Sequence, residues 1–259
     1  MGVINVTPDS FSDGGQFAGA AAAIEHGLRL EAEGAMILDV GGESTRPGAE
    51  PVPAAQELER VLPVIEGLRA ASGAIISIDT RKPEVMRAAA AAGAGLINDV
   101  HALRDADALE AAAASGCAVC LMHMQGEPRT MQQAPHYADV VPEVRAFLAA
   151  RRAACLAAGI AAERIAWDPG FGFGKTLEHN LALLRALPQL APPDTPLLVG
   201  LSRKSMLGKL TGRGPGERVH GSVALALIAA SRGARIIRAH DVAPTVDALR
   251  ILAAVAEGG

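Results

Sequence analysis

The stretch IISIDTRKPEVMRAAAAAGAGLIND, residues 75–99, contains one full copy of the unit that decides the fold. It begins with a short apolar run that ends at Asp79 and continues through a helix-forming stretch, Pro83–Ala92. It then turns at Gly93 and closes with a second apolar run, Leu96–Asp99. Proline near a helix start and glycine after a helix end are typical boundary signals. The segment therefore predicts strand, helix and strand in succession.

The same unit repeats along the whole chain. Short, uniformly apolar runs of this kind are typical of parallel strands that are buried on both faces. The predicted strands are Gly2–Asn5, Met36–Asp39, Ile75–Asp79, Leu96–Asp99, Ala118–His123, Ile165–Asp168, Leu197–Ser202 and Ile236–His240. The stretches between them are rich in Ala, Leu, Glu and Arg, and predict helices over Ala20–Glu33, Ala54–Ala71, Pro83–Ala92, Ala106–Ala114, Ala138–Ala158, Leu177–Leu187, Val219–Ser231 and Ala243–Ala256.

Eight strands that alternate with eight helices predict an α/β fold, a (β/α)₈ TIM barrel that forms one domain over residues 1–259. No linker or low-complexity segment divides the chain. An open, doubly wound sheet is the alternative, because alternation alone does not prove that the sheet closes.

Composition excludes several classes of protein. The chain is 50% hydrophobic and 20% charged, which is too apolar for a disordered protein. Its net charge of −4 excludes a general nucleic-acid binder. It has neither the basic lead of a signal peptide nor an apolar run long enough for a membrane span, so we expect a soluble, cytoplasmic protein. Cys117 and Cys120 form a single CxxC without a second pair, and we interpret both as buried thiols.

Every predicted strand ends in polar residues. One polar residue at a strand end is usually a helix cap or a turn former. In a barrel, however, all eight ends meet at the face where such enzymes place their active sites. Because all eight predicted strands end in a polar residue, we expect these residues to form a ring of functional side chains at that face. Its members are Asn5, Asp39, Asp79, Asn98, Asp99, His123, Asp168, Ser202, Arg203, Lys204, Arg238 and His240.

The ring is also sorted by charge. The first six strands supply carboxylates, amides and an imidazole, which suit a heterocycle with several N–H donors. The last two supply Arg203, Lys204, Arg238 and His240, which suit a phosphate. The predicted ligand therefore carries a nitrogen-rich ring at one end and a phosphate or diphosphate at the other.

Three loops add to this site. Residues 7–15 and 41–48 are rich in glycine and proline, and long loops of this composition are typical of lids. The stretch 168–176, DPGFGFGKT, looks like a phosphate loop, but proline stands where the Walker pattern requires glycine. We expect it to carry Asp168 into the site, with Gly170 and Gly172 allowing the backbone to approach a flat ligand.

Eight motifs in this order make the chain resemble the dihydropteroate synthases, pterin-binding enzymes of folate biosynthesis that sulfonamides inhibit. The resemblance covers essentially the whole length. The motifs are MGVINVTPDSFSDGG, GGESTRPGAEPV, ISIDTRKPEV, INDV, CLMHMQGEPRTMQ, WDPGFGFGK, GLSRKSMLG and RAHDV.

The resemblance implies a transferase that joins 4-aminobenzoate to (7,8-dihydropterin-6-yl)methyl diphosphate and releases diphosphate. It implies that Asp79, Asn98 and Asp168 bind the pterin. It further implies that Lys204 reaches both substrates, and that Asp13, Asp79 and Lys204 are the catalytic residues.

The remaining roles follow from the same resemblance. Asn5, Arg238 and His240 are expected to hold the diphosphate, with Asn5 near a Mg²⁺ cofactor. The second-substrate site is expected to consist of Phe11, Thr45, Arg46, Pro47 and Ser202. The family usually forms a homodimer, for which the apolar faces of Leu177–Leu187 and Val219–Ser231 are candidates. The chain departs from the family pattern at Arg81, where a small residue is commoner.

Two other functions are compatible with the pterin carboxylates. A methyltransferase that carries a methyl group from methyltetrahydrofolate to a corrinoid would share the barrel. Such an enzyme does not need the cations of the last two strands, and the chain has no cobalamin-binding segment. A non-enzymatic pterin-binding paralogue is the second alternative, and Asp13, Thr45 and Arg46 argue against it.

Overall fold

The computed structural model describes residues 1–6, 15–44 and 48–256. Within these ranges the chain forms eight short strands, and six of them begin at the predicted residue. The strands are β1 (Gly2–Asn5), β2 (Ile37–Gly41), β3 (Ile75–Asp79), β4 (Leu96–Asp99), β5 (Ala118–Met122), β6 (Ile165–Asp168), β7 (Leu197–Val199) and β8 (Ala234–Ile237).

The strands pair in parallel and in sequence order, from β1 to β8. The last strand returns to the first: the Ala239 amide donates to the Met1 carbonyl at 2.9 Å, and the Val3 amide donates to the Ala239 carbonyl at 3.3 Å. These bonds close the sheet, and the prediction of a (β/α)₈ barrel over an open sheet is confirmed.

Helices follow the strands around the outside of the barrel. In the described part of the chain they are α1 (Gly15–Ala32), α2 (Ala54–Ala71), α3 (Pro83–Ala91), α4 (Ala108–Ser115), α5 (Val140–Ala157), α6 (Leu177–Arg185), α7 (Ser205–Thr211), α8 (Val219–Ser231) and α9 (Val242–Ala256). The seven-residue α7 is the element that was not predicted, because it is too short to show a helical period. In the described residues, none of the helices is long and apolar enough to cross a membrane.

The core has two layers. The larger one packs between strands and helices and includes the fully buried side chains of Trp167 and Ile97. The smaller one fills the barrel with one residue from each of four neighbouring strands, namely Leu96, Cys120, Ala166 and Leu198. The three cysteines are buried, as predicted for two of them.

The inner layer explains where the polar strand ends point. Side chains two residues apart lie on the same face of a strand. Leu96 therefore places Asn98 on the inner face of the barrel, and Ala166 does the same for Asp168. The alternation of each strand thus delivers one polar group to the mouth of the barrel.

Candidate active site

A cleft of about 470 Å³ opens at the carboxyl ends of the strands. It brings together seven of the predicted site residues: Asp79, Asn98, Asp168, Ser202, Lys204, Arg238 and His240. The other lining residues are Val100, Met122, Phe171, Phe173 and Gly200.

Arg238 joins the two acidic strands of the cleft. Its Nε donates to Asp39 Oδ2 at 2.6 Å, and its Nη2 donates to Asp79 Oδ2 at 3.0 Å. Burial lowers the pKa of the guanidinium, but the two carboxylates outweigh burial and raise the pKa above its ordinary value. Arg238 is therefore a permanent cation at the boundary between the acidic and basic parts of the cleft.

Asp39 belongs to the predicted ring of strand ends, but the sequence assigned it no role. Its side chain is fully buried. Besides Arg238, Ser77 Oγ donates to Asp39 Oδ1 at 2.6 Å, and Asn98 Nδ2 donates to Oδ2 at 3.2 Å. The carboxylate thereby fixes the amide of Asn98 as well as the guanidinium. Its position at a strand end was visible in the sequence, but that signal alone also fits a helix cap.

Asp79 shares Arg238 with Asp39. Burial raises the pKa of the Asp79 carboxyl and the nearby Asp39 raises it further, while Arg238 opposes both. A carboxylate in this setting gains from additional N–H donors, because hydrogen bonds to the charged form offset its lost hydration. The Asp79 side chain keeps 11% of its surface exposed, so a ligand in the cleft can reach it.

Asp168 and Lys204 form the opposite wall. The Gly170 amide donates to Asp168 Oδ1 at 2.7 Å. Burial raises the pKa of Asp168, against the effects of this amide and of Lys204. Burial lowers the pKa of Lys204 to about 8, with Asp168 opposing the shift. Each group therefore depends on the charge of the other, and both favour a polar ligand between them.

An aromatic ring holds Lys204 in place. Its Nζ lies 4.1 Å from the ring centroid of Phe173, a cation–π geometry. Gly172 has a φ of +81°, and a Cβ there would lie 3.2 Å from Lys204 Cδ. Gly172 thus allows the backbone to approach the lysine stem, and the predicted approach to a ligand stays a prediction. Phe173 was missed because only the glycines of its motif received an interpretation.

Two residues of the ring that line the cleft are tied to each other. His240 Nδ1 lies 3.1 Å from Ser202 Oγ, and the His240 amide donates to the same oxygen at 3.2 Å. Arg203, by contrast, points away. Its guanidinium pairs with Asp241 at 2.6 Å in an exposed position, so the interpretation of Arg203 as a phosphate-binding cation is wrong. A positive φ of 57° turns its side chain outward.

His123 and Asp99 have structural partners instead of cleft surface. His123 is buried, and its Nδ1 accepts from Lys175 at 2.9 Å. Asp99 accepts from the amides of His101 and Leu103 at 2.8 and 2.7 Å, which is the capping role that one polar strand end usually has.

The other predicted site residues have fewer structural facts. Asn5 is exposed at the end of β1, where it pairs in register with Gly41 of β2. Phe11, Asp13, Thr45, Arg46 and Pro47 lie outside the described residues. Their predicted roles stay predictions.

The cleft suits a flat, nitrogen-rich ligand with an anionic tail. Asp79, Asn98 and Asp168 present oxygen acceptors to ring N–H donors, while Lys204 and Arg238 supply positive charge. Apolar and aromatic side chains close the walls around the ring.

Comparison with known proteins agrees with this ligand class. Residues 1–240 match the family model described as pterin binding enzyme. The chain belongs to the pterin-binding enzyme family. A dihydropteroate synthase from Escherichia coli (strain K12) is 54% identical over 254 residues, which cover 98% of this chain and 90% of that one.

Solved structures lead to the same group within the family. The Xanthomonas albilineans dihydropteroate synthase with 4-aminobenzoic acid has a TM-score of 0.93 and 57% identity, and the match covers 98% of this chain and 92% of that one. The enzyme from the same organism in complex with 7,8-dihydropteroate has a TM-score of 0.89 and 54% identity, with the same coverage. This chain therefore lies among the dihydropteroate synthases.

The buried ion pair of Asp39 makes the first prediction. Asp39→Asn removes the charge that Arg238 needs and places an amide N–H₂ beside its donors. We expect the free energy of unfolding to fall by about 2 kcal/mol, because the buried guanidinium loses one of its two carboxylates and Ser77 loses a charged acceptor. Urea denaturation measures the change. The control is Asp247→Asn, whose carboxylate lies 3.9 Å from Arg250 on an exposed face and should change stability by less than about 0.5 kcal/mol. Equal losses in both variants would contradict the role of Asp39.

Proposed function

We propose that the cleft condenses (7,8-dihydropterin-6-yl)methyl diphosphate with 4-aminobenzoate to give 7,8-dihydropteroate and diphosphate, a step of folate biosynthesis. One observation carries this function. Three acceptor side chains and two cations converge in one cleft, in a chain 54% identical to a dihydropteroate synthase. The two substrates have the donors and the charge that this cleft can bind.

The pterin end is bound by acceptors. Asp79, Asn98 and Asp168 face the cleft from three different strands and accept from the ring N–H and amino groups of the pterin. Phe171 and Phe173 exclude water from this end. A ring that donates to Asp79 and Asp168 also returns to these buried carboxylates part of the hydration that they lost on folding.

The diphosphate end is bound by cations. Arg238 lines the cleft and His240 stands beside Ser202 at its edge, while Lys204, by family resemblance, reaches the pterin and the 4-aminobenzoate. The C–O bond between the pterin methylene and the diphosphate breaks as negative charge grows on the leaving oxygen. Fixed positive groups stabilise the transition state, in which this charge develops, more than they stabilise the ground state. This difference lowers the activation barrier for the loss of diphosphate.

The amine then forms the new bond. The nitrogen of 4-aminobenzoate attacks the methylene carbon, and the N–H proton leaves to solvent or to a nearby base. The neutral arylamine is already nucleophilic, so the step needs no strong base. By family resemblance, Asp13 acts near the methylene centre, and Phe11, Thr45, Arg46, Pro47 and Ser202 line the 4-aminobenzoate site.

Magnesium fits this site as an ion that arrives with the substrate. In the described part of the chain, no group of three His, Cys, Asp or Glu side chains could hold a metal ion. Mg²⁺ commonly keeps several waters and combines one or two protein oxygens with substrate phosphates. The exposed amide of Asn5 at the end of β1 supplies one such oxygen. When bound, Mg²⁺ neutralises charge on the departing diphosphate.

Diphosphate release tests the function. The purified chain, incubated with the pterin diphosphate, 4-aminobenzoate and Mg²⁺, should release diphosphate only when the amine is present. Lys204→Ala should lower kcat/KM, and the decrease should correspond to a loss of about 2–4 kcal/mol of transition-state stabilisation, because the substitution removes charge from the reaction centre. Lys209→Ala, on the exposed face of α7, is the control. Omission of Mg²⁺ should abolish diphosphate release. Pterin binding without amine-dependent diphosphate release would identify a binding paralogue.

The protonation of Lys204 predicts how activity depends on pH. The pKa of this buried ammonium is lowered to about 8, so its charge is present below that pH and is lost above it. We expect kcat/KM for the pterin diphosphate to fall as pH rises through about 8. Lys204→Arg keeps its charge throughout this range and should remove the fall. An identical fall in the wild type and in Lys204→Arg would show that another group titrates.

We also propose that the enzyme is a cytoplasmic homodimer. Ile228 on α8 is 40% exposed and Leu210 on α7 is 49% exposed, which leaves apolar surface on neighbouring helices. Light scattering should give twice the chain mass of 26.5 kDa. Ile228→Lys should give a monomer, because it buries a charge in the interface. Ile251→Lys, at a residue 67% exposed on α9, is the control. A monomeric wild type would refute the dimer.

A further inference from the structure

Lys175 is a buried lysine that does not line the cleft. Its residue surface is only 3% exposed. Its Nζ has three neighbours at 2.9 Å: the carbonyl oxygens of Gly170 and Phe173, and Nδ1 of His123. The His123 carbonyl lies further away, at 3.3 Å. No ion pair with a carboxylate forms within the described residues, so backbone oxygens and one imidazole satisfy this ammonium.

The chemistry of the contact requires a lysine. An ammonium has three N–H donors around one atom, and three acceptors stand at the same distance from that atom. A planar guanidinium cannot direct its donors to the same three points. Burial, together with the charge of Lys175, lowers the pKa of His123 to about 3, so the imidazole is neutral and can accept at Nδ1. Burial also lowers the pKa of Lys175 itself, to about 7.

The backbone around Lys175 is closely packed. A Cβ on Gly170 would lie 1.9 Å from the His123 carbonyl oxygen, and a Cβ on Gly174 would lie 2.4 Å from the Gln125 carbonyl oxygen. The loop after β6 therefore lies directly against the chain that follows β5. Both segments present carbonyl oxygens at this contact, and the ammonium of Lys175 joins them, in addition to the His123 amide, which donates to the Asp168 carbonyl at 3.0 Å.

The two loop residues that Lys175 holds are the ones that shape the cleft. The amide of Gly170 donates to Asp168, the acceptor at the end of β6. The ring of Phe173 contacts the ammonium of Lys204 in a cation–π geometry. Lys175 thus contacts the backbone of both supports, although it does not line the cleft itself. Loss of the ammonium would leave His123 Nδ1 and the Phe173 carbonyl without this donor and would loosen both supports, although the Gly170 carbonyl keeps the Phe173 amide as a donor at 3.1 Å.

We propose that Lys175 is a positioning residue for the pterin: its ammonium clamps the loop after β6 against the end of β5 and so fixes Asp168 and Phe173 in the cleft. The proposal rests on the proposed function, since it concerns the pterin end of the same site. It assigns a role to a buried charge that does not line the cleft.

The test compares two ligands on one variant, Lys175→Met, which keeps the length of the side chain and removes its donors. Calorimetry with 6-hydroxymethyl-7,8-dihydropterin, a pterin without the diphosphate, should show at least about a tenfold loss of affinity. Inorganic diphosphate, held by Arg238 and His240, should bind within about twofold of the wild type. A general loss of structure would weaken both ligands. Lys209→Met makes the same change at an exposed position of α7 and should alter neither affinity.

The outcomes separate this proposal from the function on which it rests. A wild type that does not bind the pterin would refute the proposed function. If Lys175→Met binds the pterin as tightly as the wild type does, the positioning role of Lys175 is refuted. Lys175→Gln, which is neutral but keeps two donors, is measured in the same way if Lys175→Met does not fold. Failure of both variants to fold would assign Lys175 to overall stability and overturn the proposal.

Discussion

The pair formed by Asp39 and Arg238 is the interaction on which the site depends. Its partners are 199 residues apart in sequence, and one follows the last strand while the other lies on the second. A charge is stable in this buried place only when its partner is present. The pair therefore requires a closed barrel, and it sets the distance between the acidic strands and the cations that follow the last two.

The pairing also explains why the cleft can hold so much charge before a substrate arrives. Arg238 is shared by Asp39 and Asp79, and Asp168 lies close enough to Lys204 for each to shift the pKa of the other. The site thus holds a row of alternating charges. A ligand with N–H donors at one end and anionic oxygens at the other offers donors to the carboxylates and acceptors to the cations, as these groups already do for one another. Binding then requires little rearrangement of the protein, which is how a preorganised site stabilises a transition state.

The sequence predicted the barrel well because its signal is strong and repeated. Short, uniformly apolar runs that end in polar residues are typical of buried parallel strands. Seven site residues also meet in one cleft as the ring of strand ends implies. The sequence failed where the outcome depends on side-chain direction. Arg203 turns outward to Asp241 because its backbone adopts a positive φ, and no composition signal distinguishes it from Lys204 beside it. The role of Asp39 needed the coordinates of its partners, which come from distant strands.

The most direct test is a crystal structure of this protein with bound 7,8-dihydropteroate. The account predicts that the pterin ring lies in the cleft, with its N–H groups within hydrogen-bond distance of Asp79, Asn98 and Asp168, and with Lys204 beside the methylene bridge. A pterin bound elsewhere on the molecule, or one in the cleft that contacts none of these carboxylates and amides, would contradict it.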